Sequence, residues 1–143
     1  MVKKHPSGFT KKQISELEKL LIQKLESLVQ DIHLLERDLK QDGASAEQGA
    51  PDDLDRSAFE EGMQRSQLVL SGKFRLRSEI EYALKKVSTD EFGICEESEE
   101  PIAFERLKAQ PWTRYSLEAQ TDLEREMRIR GNARVTSEAF SAF

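Results

Sequence analysis

Apolar residues recur every seven positions between Lys11 and Lys40, in two interleaved series. Together they form one continuous stripe along a helix, with Lys, Glu, Gln and Asp on the other faces and no Gly or Pro between them. Thr10 and Gln13 have the spacing of a capping box at the helix start. The pattern predicts a helix over 11–40, about 45 Å long. Its stripe consists of Ile14, Leu21, Leu25, Leu28, Ile32, Leu35 and Leu39.

A second apolar stripe follows a short segment, residues 41–51, whose Gly43, Gly49 and Pro51 break the helical pattern. Asp52 or Asp53 is a suitable cap for a second helix that ends near Ser88. Two long striped helices with a short connection predict an antiparallel coiled-coil hairpin, because each stripe needs a partner. An ordinary helical bundle is the alternative, but the sequence has no third or fourth long stripe. The second stripe contains Val69, Leu76, Ile80, Ala83 and Val87, with Phe59, Met63, Leu70, Phe74 and Leu84 nearby.

The pattern changes after Ser88 and predicts a small globular domain over 89–131. Residues 92–95 are typical of a short strand or a turn, and residues 101–104 of a second short strand or a helix start, on either side of a polar turn. One or two helical turns follow before Pro111. The last predicted helix is 117–130, with Gly131 as its stop. The fold class is therefore mostly α: residues 1–10 form a flexible N-terminus, 11–88 a hairpin with its tip near 41–57, and 132–143 a tail.

Composition narrows the classes of function. The chain has 143 residues, 34% of them charged, and a net charge of -5, which argues against general nucleic-acid binding through a basic surface. Its one cysteine excludes an internal disulfide framework and a four-cysteine zinc site. No window approaches the roughly 18 apolar residues of a membrane helix, and no signal peptide is evident. We expect a cytoplasmic protein.

Three aspartates lie where the hairpin is expected to bend: Asp52, Asp53 and Asp55. At the end of a long rod, their negative potential suits a metal ion or a basic pocket in a partner. The structural alternative is helix capping, because aspartate is favoured at helix N-termini.

Cys95 is the other residue with possible chemistry. A nucleophilic cysteine needs a base, and neither His5 nor His33 has a reason to lie near it, so a small, partly buried thiol is favoured. The stretch 106–115 is basic and aromatic, but Trp112 and Tyr115 are expected to form a domain core. With no GxGxxG, P-loop, GxSxG or HExxH motif, no enzyme is predicted.

Residues 83–120 resemble the DksA/TraR family of bacterial transcription factors. The family's tip motif, D-x-x-D-x-A, has its counterpart in Asp52 and Asp55, with Ser57 in the alanine's place. The resemblance covers nearly the whole chain and is most specific in its C-terminal half. The matching residues there are Leu84, Val87, Phe92, Gly93, Cys95, Ile102, Arg106, Leu107, Ala109 and Pro111.

The resemblance implies a partner, bacterial RNA polymerase, whose secondary channel the hairpin enters so that the tip modulates transcription initiation. Asp52, Asp53, Asp55 and Ser57 are the implied tip residues. A monomer is expected, without direct sequence-specific DNA binding and without membrane association. Two alternatives remain at this point: a Gre-like stimulator of transcript cleavage, and a coiled-coil adaptor unrelated to polymerase.

The chain departs from the family pattern in two places. The family's four zinc positions fall on Cys95, Ser98, Ser116 and Ala119, so a zinc-finger-like fold without zinc or another cofactor is expected, held by apolar packing instead. The family's cationic positions for the alarmone ppGpp align with Gly72, Glu79 and Gln120. Little ppGpp dependence is therefore expected, because neutral or acidic groups do not form charge-assisted bonds to phosphate.

Overall fold

The computed structural model describes the backbone of residues 4–48 and 53–140, and the side chains of residues 4–43 and 54–131. Four helices follow one another in the chain: α1 (Lys11–Gln48), α2 (Asp53–Lys86), α3 (Phe104–Ala109) and α4 (Leu117–Phe140). The fold is mostly helical, as predicted. Within the described ranges, no helix combines the length and the apolar character that crossing a membrane would require.

Helix α1 begins with the predicted capping box. The Gln13 amide donates to Thr10 Oγ1 at 3.2 Å, and the Thr10 amide donates to Gln13 Oε1 at 2.9 Å. The helix runs on to Gln48, past the predicted end at Lys40. An isolated glycine costs a helix only about 1 kcal/mol, and the residues around Gly43 include strong helix formers, so Gly43 does not end α1.

The two long helices pack antiparallel as a hairpin, which we call the rod. The ion pair of Lys73 Nζ with Asp31 Oδ2, at 3.8 Å, joins residues at similar separations from the connection. The buried residues of α1 lie between Leu17 and Ile32, and those of α2 lie near its C-terminal end. Towards the connection, Leu35, Leu39 and Leu70 are half-buried. Val69, which the sequence placed in the second stripe, and Phe74, placed near it, are exposed. The buried rod residues are Leu17, Leu21, Leu28 and Ile32 on α1 and Ile80 and Ala83 on α2.

Residues 89–120 form what we call the finger module. It packs against the end of the rod opposite the connection between α1 and α2, and we call that end the base of the rod. Ile94 and Pro101 form an isolated antiparallel bridge, and no strand occurs among the described residues. Two backbone hydrogen bonds flank the bridge. The Cys95 amide donates to the Glu100 carbonyl oxygen and the Ile102 amide donates to the Gly93 carbonyl oxygen, each with a nitrogen–oxygen distance of 2.8 Å. The short β-hairpin expected from the sequence is therefore present only as this bridge.

The N-terminal segment packs on the finger module. Ser7 is buried, and Phe9 meets Phe104 edge to face, with ring centroids 5.6 Å apart. His5 Nε2 lies 3.1 Å from the Thr89 carbonyl oxygen. The sequence predicts a flexible N-terminus over 1–10; its described part, 4–10, makes these specific contacts.

Helix α4 extends beyond the stop predicted at Gly131 and continues to Phe140. A glycine ends a helix when it adopts a left-handed conformation, and Gly131 keeps helical backbone. The stretch predicted as a tail, 132–143, is thus helical as far as Phe140.

Candidate functional site

The hairpin tip places carboxylates far from the finger module. Helix α2 has 34 residues and is about 51 Å long, and Asp55 and Ser57 lie exposed near its start. Leu54, beside Asp55, is 82% exposed. Asp53 opens α2 but its side chain is outside the described part, and Asp52 is outside the described residues altogether. The tip residues that can be located are thus accessible and not part of a core.

The four family zinc positions still come together in the finger module. Cys95 and Ala119 are both buried. Cys95 Sγ accepts the Ser98 amide at 3.4 Å, and the Ser116 hydroxyl accepts the Ala119 amide at 3.2 Å. Ser116 therefore acts as the N-cap of α4, which is a structural task for a residue at a ligand position.

The environment of Cys95 favours the thiolate. Burial raises the pKa of the thiol, but hydrogen bonds from Ser98 and from the amides of Ser116 and Glu97 outweigh burial and lower the pKa from 9.0 to about 7. Several hydrogen-bond donors are thus directed at one thiol.

These four side chains do not fit a zinc ion. Structural zinc takes four Cys, His or carboxylate ligands, whereas this set offers one thiol, two hydroxyls and a methyl group. Over the described ranges, no group of three or more His, Cys, Asp or Glu could hold a metal ion.

Apolar packing surrounds Cys95 and Ala119. Phe92, Ile102 and Leu107 are buried together with Cys95 and Ala119 in the core that also contains the base of the rod. Phe104, Trp112 and Tyr115 are partly buried and pack against that core. Fully burying one large apolar side chain contributes roughly 1.5–3 kcal/mol, so this set is a substantial source of stability. Trp112 and Tyr115, which the sequence placed in the domain core, pack against that core but are only partly buried.

Glu96 joins the finger module to α2, a role that the sequence did not indicate. Glu96 Oε1 accepts from Tyr82 Oη at 2.6 Å and from Lys86 Nζ at 2.9 Å, and Oε2 accepts from Arg114 Nε at 2.9 Å. Burial raises the pKa of Glu96, but these donors and the two cations lower it overall. The sequence placed Glu96 in a polar turn, because its partners are 10 to 18 residues away along the chain.

Arg114 completes this network. Its guanidinium carbon lies 4.5 Å from the centre of the Tyr82 ring, and Nη1 lies 3.6 Å from Glu79 Oε1. Burial lowers the pKa of Arg114, but the hydrogen bond and charge of Glu96 and the charge of Glu79 raise it overall. The cation is thus held by two carboxylates and an aromatic face.

A cavity of about 380 Å³ lies between α2, the finger module and α4, and we call it the α4 cavity. Two of the three positions aligned with ppGpp contacts, Glu79 and Gln120, line this cavity. The third, Gly72, is exposed on α2 nearer to the hairpin tip. The Gln120 side-chain oxygen accepts a bond from Arg106 Nη2. Tertiary structure thus brings together two residues that the sequence separates widely.

Comparison with known proteins identifies the finger module. Residues 90–125 match the family model of the prokaryotic dksA/traR C4-type zinc finger. A 55-residue segment is 44% identical to the RNA polymerase-binding transcription factor DksA of Caulobacter vibrioides, covering 38% of this chain and 39% of that protein. An 82-residue segment is 34% identical to the protein of the same name from Haemophilus influenzae, covering 57% of each chain. These segments span less than two thirds of either relative.

A solved structure shares the overall fold. The transcription factor DksA2 from Pseudomonas aeruginosa superposes with a TM-score of 0.70 at 24% sequence identity, over 82% of this chain and 88% of that one. The similarity covers the rod as well as the finger module, so the arrangement of the two parts is that of a known fold.

Proposed function

We propose, from the premise that this chain belongs to the DksA/TraR family, that it binds bacterial RNA polymerase as a transcription factor. The two relatives described above are named for that activity. In this proposal the rod enters the secondary channel of the polymerase in the cytoplasm, and the tip modulates initiation. The finger module and α4 remain at the channel rim. No enzymatic activity and no direct reading of DNA sequence are expected.

The observation that carries the proposal is the exposed acidic end of a rod about 50 Å long, far from the finger module. Asp55 and Ser57 are accessible there, and carboxylates near a catalytic magnesium alter the local field and the hydrogen bonds of mobile elements. We propose Asp52, Asp53, Asp55 and Ser57 as the residues of that contact.

A double substitution tests the tip. Asp52→Asn with Asp55→Asn should abolish regulation of initiation in a purified transcription assay, while affinity for polymerase changes by less than about threefold, since binding depends on the rod and finger module. Asp38→Asn, an exposed aspartate elsewhere on α1, is the matched control and should regulate normally. Equal loss of binding and regulation would make the tip an anchor.

Stimulated cleavage in a backtracked complex would support a Gre-like activity, and no polymerase binding by the unaltered protein would favour an adaptor.

We further propose that the protein acts without zinc. The support is the donor set at Cys95, Ser98, Ser116 and Ala119, in which Ser116 caps α4 and Ala119 lies in the core. A protein built this way keeps its fold when zinc is scarce.

Weak ppGpp dependence is the third element of the proposal. Of the aligned positions, Glu79 is acidic and Gln120 is neutral, and both line the α4 cavity. Adding ppGpp should leave the affinity for polymerase within about twofold, because charge-assisted bonds to phosphate are missing. Glu79→Lys with Gln120→Lys should increase the ppGpp effect, and Glu81→Lys, exposed on the same helix, should not.

A further inference from the structure

We propose that the α4 cavity binds an arginine side chain presented by a protein partner. The cavity of about 380 Å³ is lined by aromatic and apolar side chains and by two carboxylates, Glu79 and Glu124. Its size lies near the lower end of the roughly 300–1,000 Å³ typical of small-ligand pockets, which suits one side chain. The residues that carry the proposal are Glu79, Trp112, Tyr115, Glu124 and Met127.

The walls suit a flat cation with an apolar stem. Trp112 and Tyr115 line the cavity and are only partly buried, and aromatic faces attract cations placed over them. Met127, which is 72% exposed, also lines the cavity. An arginine side chain can pack its methylene groups on such a surface while its guanidinium reaches a carboxylate.

The charge of the cavity selects a cation over an anion. Arg114, the one cation among the described residues that line the cavity, is engaged by Glu96 at 2.9 Å and by Glu79 at 3.6 Å. Glu124 accepts a hydrogen bond from the neutral Gln120 at 3.0 Å and forms no ion pair with any side chain in the described part. One carboxylate beside the aromatic walls is therefore available to an incoming cation.

Arginine fits this arrangement better than lysine. A planar guanidinium stacks on an aromatic ring and donates two parallel bonds to one carboxylate, whereas an ammonium is a more strongly hydrated point charge. The inference deepens the proposed function, because RNA polymerase is the partner that would supply the arginine at the channel rim.

The sequence contains a single tryptophan, Trp112, so its fluorescence reports directly on the cavity. Titration with N-acetyl-arginine amide should give a saturable change with a dissociation constant on the order of millimolar, as expected for one side chain. N-acetyl-lysine amide should bind at least threefold more weakly, and the neutral isostere N-acetyl-citrulline amide should give no saturable change. An equal response to citrulline, or none to arginine, would overturn the proposal.

Two variants identify the carboxylate. Glu124→Gln should weaken arginine binding at least threefold, and it is an exposed position where folding is not at risk. Glu126→Gln, which is also exposed and pairs with Arg130 at 4.0 Å, is the matched control and should bind as the unaltered protein does. Unchanged binding by Glu124→Gln would contradict the role of the cavity.

The same variants measured against polymerase separate this inference from the proposed function. Glu124→Gln should lower polymerase affinity several-fold while Glu126→Gln does not. If the unaltered protein fails to bind polymerase, the proposed function is wrong and the arginine titration alone decides whether the cavity recognises arginine. If polymerase binds but Glu124→Gln has no effect on it, the cavity is not used in that complex and the inference is wrong.

Discussion

Glu96 holds two cations and a phenol at distances between 2.6 and 2.9 Å, and these partners come from α2 and from the loop before α4. Glu96 therefore makes a direct polar connection between the finger module and the rod. Hydrogen bonds to charged groups contribute more than neutral ones, about 1.5–3 kcal/mol when well buried. Partial exposure of Lys86 and Arg114 reduces that value here.

Glu96→Gln should lower the free energy of unfolding by about 1–2 kcal/mol. The amide keeps the shape but loses the charge that Lys86 and Arg114 face. Urea denaturation followed by circular dichroism measures the change. Glu97→Gln, exposed and adjacent, should change the stability by less than about 0.5 kcal/mol. Equal effects of the two substitutions would contradict the role of Glu96.

Cys95 should titrate near neutral pH. The thiolate absorbs in the ultraviolet, and because the chain has one cysteine the absorbance step should have its midpoint at about pH 7. The folded-state pKa lies below the unfolded value of 9.0. The stabilisation is therefore complete above the unfolded pKa and is lost as the pH falls through about 7. Cys95→Ser should lose both the step and this pH dependence of the melting temperature; a midpoint above pH 8.5 would show that the amide donors do not act on the sulfur.

At the scale of elements, the N-terminal segment and the finger module meet at Gly93. Its backbone has φ of 79°, and a Cβ there would lie 2.7 Å from a ring carbon of Phe9. Gly8 has a similar φ of 80° but no heavy atom within 4 Å of such a Cβ. The two glycines therefore separate backbone strain from steric conflict.

Gly93→Ala should destabilise the protein by at least about 1 kcal/mol more than Gly8→Ala, because both substitutions strain the backbone but only the first collides with Phe9. Thermal melting of the two variants measures the difference. Adding Phe9→Ala to Gly93→Ala should be less destabilising than the sum of the single changes. Additive effects would mean that Phe9 does not lie against Gly93 in solution.

At the scale of the whole molecule, one core runs from the base of the rod into the finger module. It includes Leu17 and Ile80 from the rod and Phe92, Ile102 and Leu107 from the finger module. Because the rod supplies part of this core, the finger module buries its apolar side chains against residues outside the module as well as within it. Small domains without such support usually need a metal or disulfides.

Removal of metal should leave the molecule unchanged. The melting temperature should change by less than about 1 °C on dialysis against a chelator, and the circular dichroism spectrum should not change, because the proposed fold binds no zinc. A bound structural zinc contributes on the order of 10 kcal/mol, so its removal would lower the melting temperature strongly. Elemental analysis of the purified protein should find less than about 0.1 zinc per chain. A large fall in melting temperature with the chelator would show that a metal is bound and would overturn the zinc-free proposal.

The sequence by itself determined the elements whose signals are local and repeated. The seven-residue stripes predicted the rod, because one face of each long helix must be buried. The predicted capping box at Thr10 is confirmed, because its hydrogen-bond partners lie within one helical turn. The resemblance over 83–120 indicated a zinc-finger-like domain over 89–131 and aligned the family's zinc positions with Cys95, Ser98, Ser116 and Ala119. The predicted ends of α1 at Lys40 and of α4 at Gly131 were wrong, because a single glycine lowers helix stability too little to end a helix by itself.

Tertiary structure decided everything that depends on residues distant in the chain. The Glu96 network joins positions 82, 86, 96 and 114, and the α4 cavity forms where α2, the finger module and α4 meet. The contact of Phe9 with Phe104 places the N-terminal segment on the finger module. Such contacts arise when separate apolar surfaces are buried together, and one sequence carries no local signal of which surfaces will meet.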